Sequence, residues 1–212
     1  MEPMKQYYEK RAKLLMEHLK RRHFGATYCD NQEEALKAAL SLISREDLVG
    51  WGGALSAKQI GLMDALESQG YRTVNREKAS TPEERVECLR RGLMTDVFLT
   101  GANAISMSGE MVNIDGTGNR VAAIVYGPRK VLVIAGMNKV VDSLEDAVKR
   151  ARTVAAPINK QRFEDTSTPC ALTGRCGDCT AEGCICNQIL ITRNCRPAGR
   201  IQFIIVGEEL GF

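Results

Sequence analysis

Asp47-Leu-Val-Gly-Trp51, Ser56-Ala-Lys-Gln59, Tyr71-Arg-Thr-Val-Asn75, Thr81-Pro82-Glu-Glu84 and Asp96-Val-Phe-Leu-Thr100 follow one another between residues 47 and 100. The first, third and fifth are short runs of strand length. The second and fourth carry Ser or Thr three residues before Gln or Glu, the spacing of a capping box, and Pro82 suits a first helical position. Strand, helix, strand, helix, strand is the pattern of a parallel sheet with crossover helices. The helix opened by Ser56 is expected to run to about Gln69.

Upstream, residues 2–22 place Tyr8, Ala12, Leu15 and Leu19 at helical spacing. Asn31-Gln-Glu-Glu34 opens a second helix through Leu42 and Ile43. After Gly101 the rhythm changes. Ala104–Ser106, Met111–Ile114, Val121–Tyr126 and Lys130–Ala135 read as strands parted by glycine turns, which predicts antiparallel hairpins. The next helix is expected from Ser143 to about Ala155, before Pro157, and Arg200–Val206 is a last apolar strand. The expectation is one α/β domain over 1–212, with an N-terminal helix over 1–23 and a cysteine-rich insert over 170–195.

With 212 residues, 44% of them hydrophobic, the chain can bury a substantial core. The net charge is only +3 and aromatics make up 5%. Lys10, Arg11, Lys13 and Lys20-Arg21-Arg22 lack interleaved aromatics, so they read as a solvated helix face and no nucleic-acid partner is expected. No apolar run approaches the roughly 18 residues of a membrane span. Met1-Glu-Pro-Met-Lys5 opens into a charged helix rather than a secretory signal, so the expected compartment is cytoplasmic.

Six of the 8 cysteines lie between Cys170 and Cys195. Cys176 and Cys179, with two residues between them, can place two thiolates on one ion, with Gly174 and Gly177 allowing the turns. Disulfides are the competing reading, but they belong to an oxidising compartment. Cys29 and Cys88 stand alone as ordinary thiols, and His18 and His23 read as surface residues.

Polar residues crowd the stretch from Thr100 to Arg120. Glu110 and Asp115 are candidate proton carriers, and Arg120 is a candidate clamp for an anion. The same residue types at Asp115-Gly-Thr-Gly118-Asn119 suit a plain hairpin turn. Gly52, Gly53 and Ser56 stand between a strand end and a helix start, where backbone N–H groups receive anions. Gly136-Met-Asn138-Lys139 follows another apolar strand, and Lys139 would add positive charge. Neither a Walker loop nor a GxGxxG fingerprint is present, so no flavin or nicotinamide motif is seen.

In that order, Gly52-Gly53…Ser56, Thr100-Gly101, Gly109-Glu110, Asn113-Ile-Asp115-Gly116-x-Gly118-Asn119-Arg120, Gly136-x-Asn138-Lys139 and Ala155-Ala156-Pro157 resemble the lactate-utilisation (LUD) domain family. Cys170-x5-Cys176-x2-Cys179-x6-Cys186 with Val206-Gly-Glu-x-Leu-Gly-Phe212 resembles its short, stand-alone members. The resemblance implies a Rossmann-like fold of the ribose-5-phosphate isomerase and CoA transferase type, with an antiparallel portion. It also implies organic-acid redox metabolism, a small carboxylate as substrate and a redox partner subunit, which would make the chain an oxidoreductase or a subunit of one. It selects Cys170, Cys176, Cys179 and Cys186 as ligands of a [4Fe–4S] cluster or zinc, with Cys184 and Cys195 outside; residues two apart in an extended segment point to the same side, so Cys184 is a substitute for Cys186. Gly52, Gly53, Ser56, Glu110, Asp115, Asn119, Arg120, Asn138 and Lys139 are expected around one crevice. The alternatives are a small-molecule-binding module with structural zinc, and a sugar-phosphate or CoA-ester isomerase or transferase.

Overall fold

The computed structural model describes residues 2–212. Helix α1 (Pro3–Arg21) buries Ala12, Leu15 and Leu19, and strand β1 (Gly25–Cys29) follows. Helix α2 (Gln32–Ser41) is capped as expected: the Asn31 side chain accepts from the Glu34 N–H. Strand β2 (Leu48–Trp51) leads to α3 (Leu55–Gln59), α4 (Leu62–Ser68) and β3 (Arg72–Val74). The single helix expected from Ser56 is thus two, parted at Gly61, whose φ of 75° is left-handed. Ser56 lies inside α3, and no side chain caps that helix. Thr81 does cap α5 (Pro82–Gly92), which precedes β4 (Val97–Thr100).

Strands β5 (Ala104–Ser106) and β6 (Met111–Asp115) form the expected antiparallel pair. Asn119–Val125 is then helix α6, where a strand over Val121–Tyr126 was expected. Val121, Ile124, Val125 and Tyr126 are good strand formers, but the Asp115 carboxylate accepts from the N–H groups of Arg120 and Val121 and starts a helical turn. Next come β7 (Lys130–Gly136), β8 (Val140–Val141) and α7 (Leu144–Arg150), capped by Ser143. A π-helical turn (Ala151–Ala155) continues into α8 (Ala156–Lys160). Helix α9 (Pro169–Thr173), β9 (Gln188–Thr192) and β10 (Ile201–Val206) complete the chain.

Six strands form a wholly parallel sheet in the order β1-β10-β7-β4-β2-β3. Strand period 2 sends alternate side chains to opposite faces. Leu132, Ile134, Ile204 and Val206 meet Ala35, Ala39, Ala57, Leu62 and Leu66 of α2–α4. Val131, Val133, Phe203 and Ile205 meet Ala12, Leu15 and Leu19 of α1, together with Ile105, Met111 and Ile124. Phe24 stands edge-on to Phe203 at 5.2 Å. A second sheet, β8-β5-β6-β9, packs its other face on Ala147, Ala151 and Ala156. Beyond β2 the chain crosses to the α3–α4 face, and beyond neighbouring β4 to the opposite one. In such sheets that switch point is where a ligand crevice opens, outside the strands' carboxyl ends.

Candidate functional site

The crevice is built at this switch point. Gly52 and Gly53 follow β2, and Gly101 follows β4; the Gly101 N–H donates to the Gly53 carbonyl at 3.1 Å. Gly53 has φ 59°, and a Cβ there would fall 2.2 Å from Nη1 of Arg120. Glycine is thus required twice at position 53, for its backbone and for the guanidinium that lies over it. Arg120 is held by the Ile114 carbonyl, and by Asn103 Oδ1 at 3.5 Å. Its Nε is sealed from solvent without a partner. Asn119 borders Gly52, with Nδ2 at 3.4 Å from where a Cβ would stand.

Lys139, at the carboxyl end of β7, is 4% exposed, and its Nζ meets Ser56 Oγ at 3.2 Å. Burial, then the positive charges of Arg150 and Arg120, lower its pKa to about 7. Arg150, on α7, donates through Nη1 to the Asn103 carbonyl at 2.5 Å. Its place in the last turn of an amphipathic helix gave it the look of ordinary surface charge. The structure therefore brings Gly52, Gly53, Ser56, Asn119, Arg120 and Lys139 together and adds Arg150.

Three expected site residues have other work. Glu110 lies outside the crevice: its carboxylate pairs with Arg22 and accepts from Ser106 and Ser108. Burial raises its pKa, but those hydrogen bonds and the Arg22 charge outweigh it, so the net shift is downward. Asp115 caps α6, accepting from the N–H groups of Gly116, Arg120 and Val121. Asp115→Ala is expected to cost about 1–3 kcal/mol, read as a lower urea midpoint; Asp115→Asn, which keeps one acceptor oxygen, should recover part of it. Asn138 accepts the Leu210 N–H at 3.1 Å and so ties down the C-terminal tail. That tail closes the inner end of the crevice, where a Cβ on Gly211 would lie 2.8 Å from Lys139 Nζ. On the other side of Arg120, Gly53 is exposed.

The cysteine segment abuts the same region. The backbone of Ile185 packs on Gly116, and Asn187 Nδ2 donates to the Gly116 carbonyl at 2.9 Å. Its root is tied by buried Lys160, which donates to Asp165 at 2.6 Å and to the Gly183 carbonyl at 2.9 Å. Burial, then the neighbouring thiols of Cys184, Cys176 and Cys170, push the Cys186 thiol up to about 12. All eight cysteines are free thiols. Among the described residues no three His, Cys, Asp or Glu side chains are placed to hold a metal ion. A groove of about 1070 Å³ lies beside Cys176, Val148 and Arg152, away from the crevice. Its Arg152 is paired with Asp178, while Lys149 and Arg175 also line it.

Fold and site together define an α/β protein with a cationic crevice at a parallel-sheet switch point. The chain belongs to the LUD domain family, whose model matches residues 12–206. Its fold is similar to that of a DUF162 family protein from Deinococcus radiodurans: TM-score 0.53 and 13% identity over 94% of this chain and 97% of that one. A partial likeness to ribose 5-phosphate isomerase A from Neisseria gonorrhoeae has a TM-score of 0.34 and 18% identity, over 53% of this chain and 54% of that one. No curated protein matches the sequence. No helix among the described residues is long and apolar enough to cross a membrane.

Proposed function

We propose that the protein binds a small hydroxy- or keto-carboxylate in the crevice and takes part in its oxidation or reduction with a redox partner subunit. One observation carries this reading. Lys139, Arg120 and Arg150 gather at one switch point, and none of them makes an ion pair among the described residues. Such a group lacks only an anion. Arg120 and Arg150 would clamp the carboxylate, since a guanidinium fork matches it. Lys139, with a pKa near the working pH, is suited to take the hydroxyl proton of a bound hydroxy acid. This role replaces the one expected of Glu110 and Asp115.

Oxidation of a hydroxy acid to a keto acid releases two electrons and two protons, and no side chain of the crevice can accept the electrons. A [4Fe–4S] cluster, when bound, supplies one-electron transfer; a zinc ion would only brace the fold. The soft sulfur donors suit either. Cys170, Cys176, Cys179 and Cys186 would hold the group, with Cys184 as the substitute. The packing of Ile185 on Gly116 puts this segment beside the turn that carries Asn119 and Arg120.

Two measurements test the reading. Calorimetry with lactate and pyruvate should show binding that Arg120→Gln weakens at least about tenfold, the loss of one charge-assisted contact. Protein purified without oxygen should be brown and contain iron and sulfide. If no carboxylate binds, the crevice is misassigned. Colourless protein containing zinc would remove the redox part and leave a structural metal.

A further inference from the structure

Each sheet ends in two edge strands: β1 and β3 in the parallel sheet, β8 and β9 in the smaller one. An open edge offers unpaired N–H and C=O groups to any strand that arrives, and proteins blunt it with shortness, charge or cover. Strand β8 is two residues long, and β3 is three residues led by the exposed Arg72. Strand β1 has five residues but exposes only Thr27. Strand β9 has none of these protections. Its five residues, Gln188-Ile-Leu-Ile-Thr192, include no charge and no proline, and Gln188, Ile189 and Ile191 are exposed. Among the described residues its backbone pairs with β6 alone, and no turn or loop backbone bonds to its free side. In an antiparallel pair alternate residues direct both backbone groups away from the neighbouring strand. So β9 keeps a row of unmet donors and acceptors.

Its side chains are uncovered as well. Ile189 and Ile191 stand opposite Ile114 and Val112 of β6, on the face packed against Ala147 and Ala151. The helical layer stops short of them and leaves Ile189 46% and Ile191 40% exposed. The groove beside Val148 and Cys176 has Ile191 in its lining. What fits there is a strand with apolar residues on the same face, and β9 itself meets that description. Gln188-Ile189-Leu190-Ile191-Thr192 reads polar, Ile, Leu, Ile, polar in either direction. Turned end for end about Leu190, it sets Ile189 against the partner's Ile191 and Ile191 against the partner's Ile189. Opposite residues of such a pair share a face, so four isoleucines meet in one patch. Gln188 faces the partner's Thr192, and one step outward Arg193 faces the partner's Asn187, so no like charges are opposed.

We infer that the chain forms a two-fold dimer by antiparallel pairing of β9 with β9 of a second copy, which joins two four-stranded sheets into one. The interface is isologous, each copy offering the same patch. The pairing is independent of what the crevice binds. Sedimentation of the full chain under reducing conditions, over a concentration series, should show a species of twice the chain mass in the micromolar range. Ile189→Lys and Ile191→Lys should each weaken it at least about tenfold, because every substitution occurs twice in a two-fold interface. Both side chains are exposed, so the unfolding midpoint should hold. Ile189→Lys chains mixed with Ile191→Glu chains should pair with each other more tightly than either does with itself, since the register sets the ammonium against the carboxylate. Ile189→Lys mixed with Ile191→Lys should not. Hydrogen exchange in the wild type needs no variant: amides within residues 188–192 should slow as the concentration rises through the dimer range.

A monomer throughout the series would overturn the pairing and leave the edge to a strand of another protein. A dimer indifferent to both lysine substitutions, or one whose formation leaves the amides of residues 188–192 unprotected, would put the interface on another face and overturn it too. A dimer weakened by both, with no gain in the lysine–glutamate mixture, would overturn the two-fold register.

Discussion

Lys139→Met is expected to lower turnover of a hydroxy acid by about 10²–10⁴-fold, the usual contribution of a positioned general base. Pyruvate affinity should change little, because the two arginines hold the carboxylate. Stability should move the other way. With the folded pKa near 7 against 10.5 for the free side chain, the unfolded chain holds one more proton between those values. Wild-type stability therefore rises with pH across that window and carries the full penalty below pH 7, on the order of 3–5 kcal/mol. The methionine variant should lose that slope and be the more stable protein at pH 6. Urea titrations at pH 6 and pH 9 check it; an unchanged difference between the two pH values would mean that Lys139 keeps its proton in the fold.

Gly53→Ala is expected to weaken pyruvate binding by about 10–100-fold, through the displaced charge-assisted contacts of Arg120. The new methyl meets Nη1 at 2.2 Å, the far end of a flexible side chain, so the guanidinium moves rather than the backbone. The stability loss should be about 1–2 kcal/mol, set by the left-handed conformation. Gly61→Ala is the matched control: φ is 75° and nothing lies within 4 Å of its Cβ. It should show the same strain and unchanged affinity. Equal affinity in both variants would remove Arg120 from the binding site.

The alternation between residues 47 and 100 was legible because strand-length apolar runs are parted there by helical stretches; Thr81 caps as its spacing implies, as does Asn31 upstream, while Ser56 does not. Helix α6 was not, because its run of Val and Ile favours a strand and only the Asp115 carboxylate, reaching forward, decides otherwise. Strand β1 passed unnoticed: Gly25-Ala-Thr-Tyr-Cys29 has no strong alternation, and its pairing is with residues 201–206, far along the chain. The grouping of Gly52, Gly53, Arg120 and Lys139 could be anticipated, since each stands near a strand end beside glycine or helix-start signals. The fate of Glu110 could not, because Arg22, its partner, lies 88 residues away. Arg150 looks like any surface arginine until its Nη1 is seen to meet the Asn103 carbonyl.

The position of β10 has a consequence for biosynthesis. It lies between β1 and β7, and β1 pairs with no other strand. During translation β1 must wait for β10, made about 170 residues later, while β7 keeps an open edge. The parallel core therefore closes only after residues 201–206 leave the ribosome, a late and long-range event of the kind that slows folding. Until then the edges of β1 and of the strongly apolar β7 stay unpaired and open to solvent or a chaperone. Chains stalled before Ile201 should be aggregation-prone species, whatever the finished protein's stability.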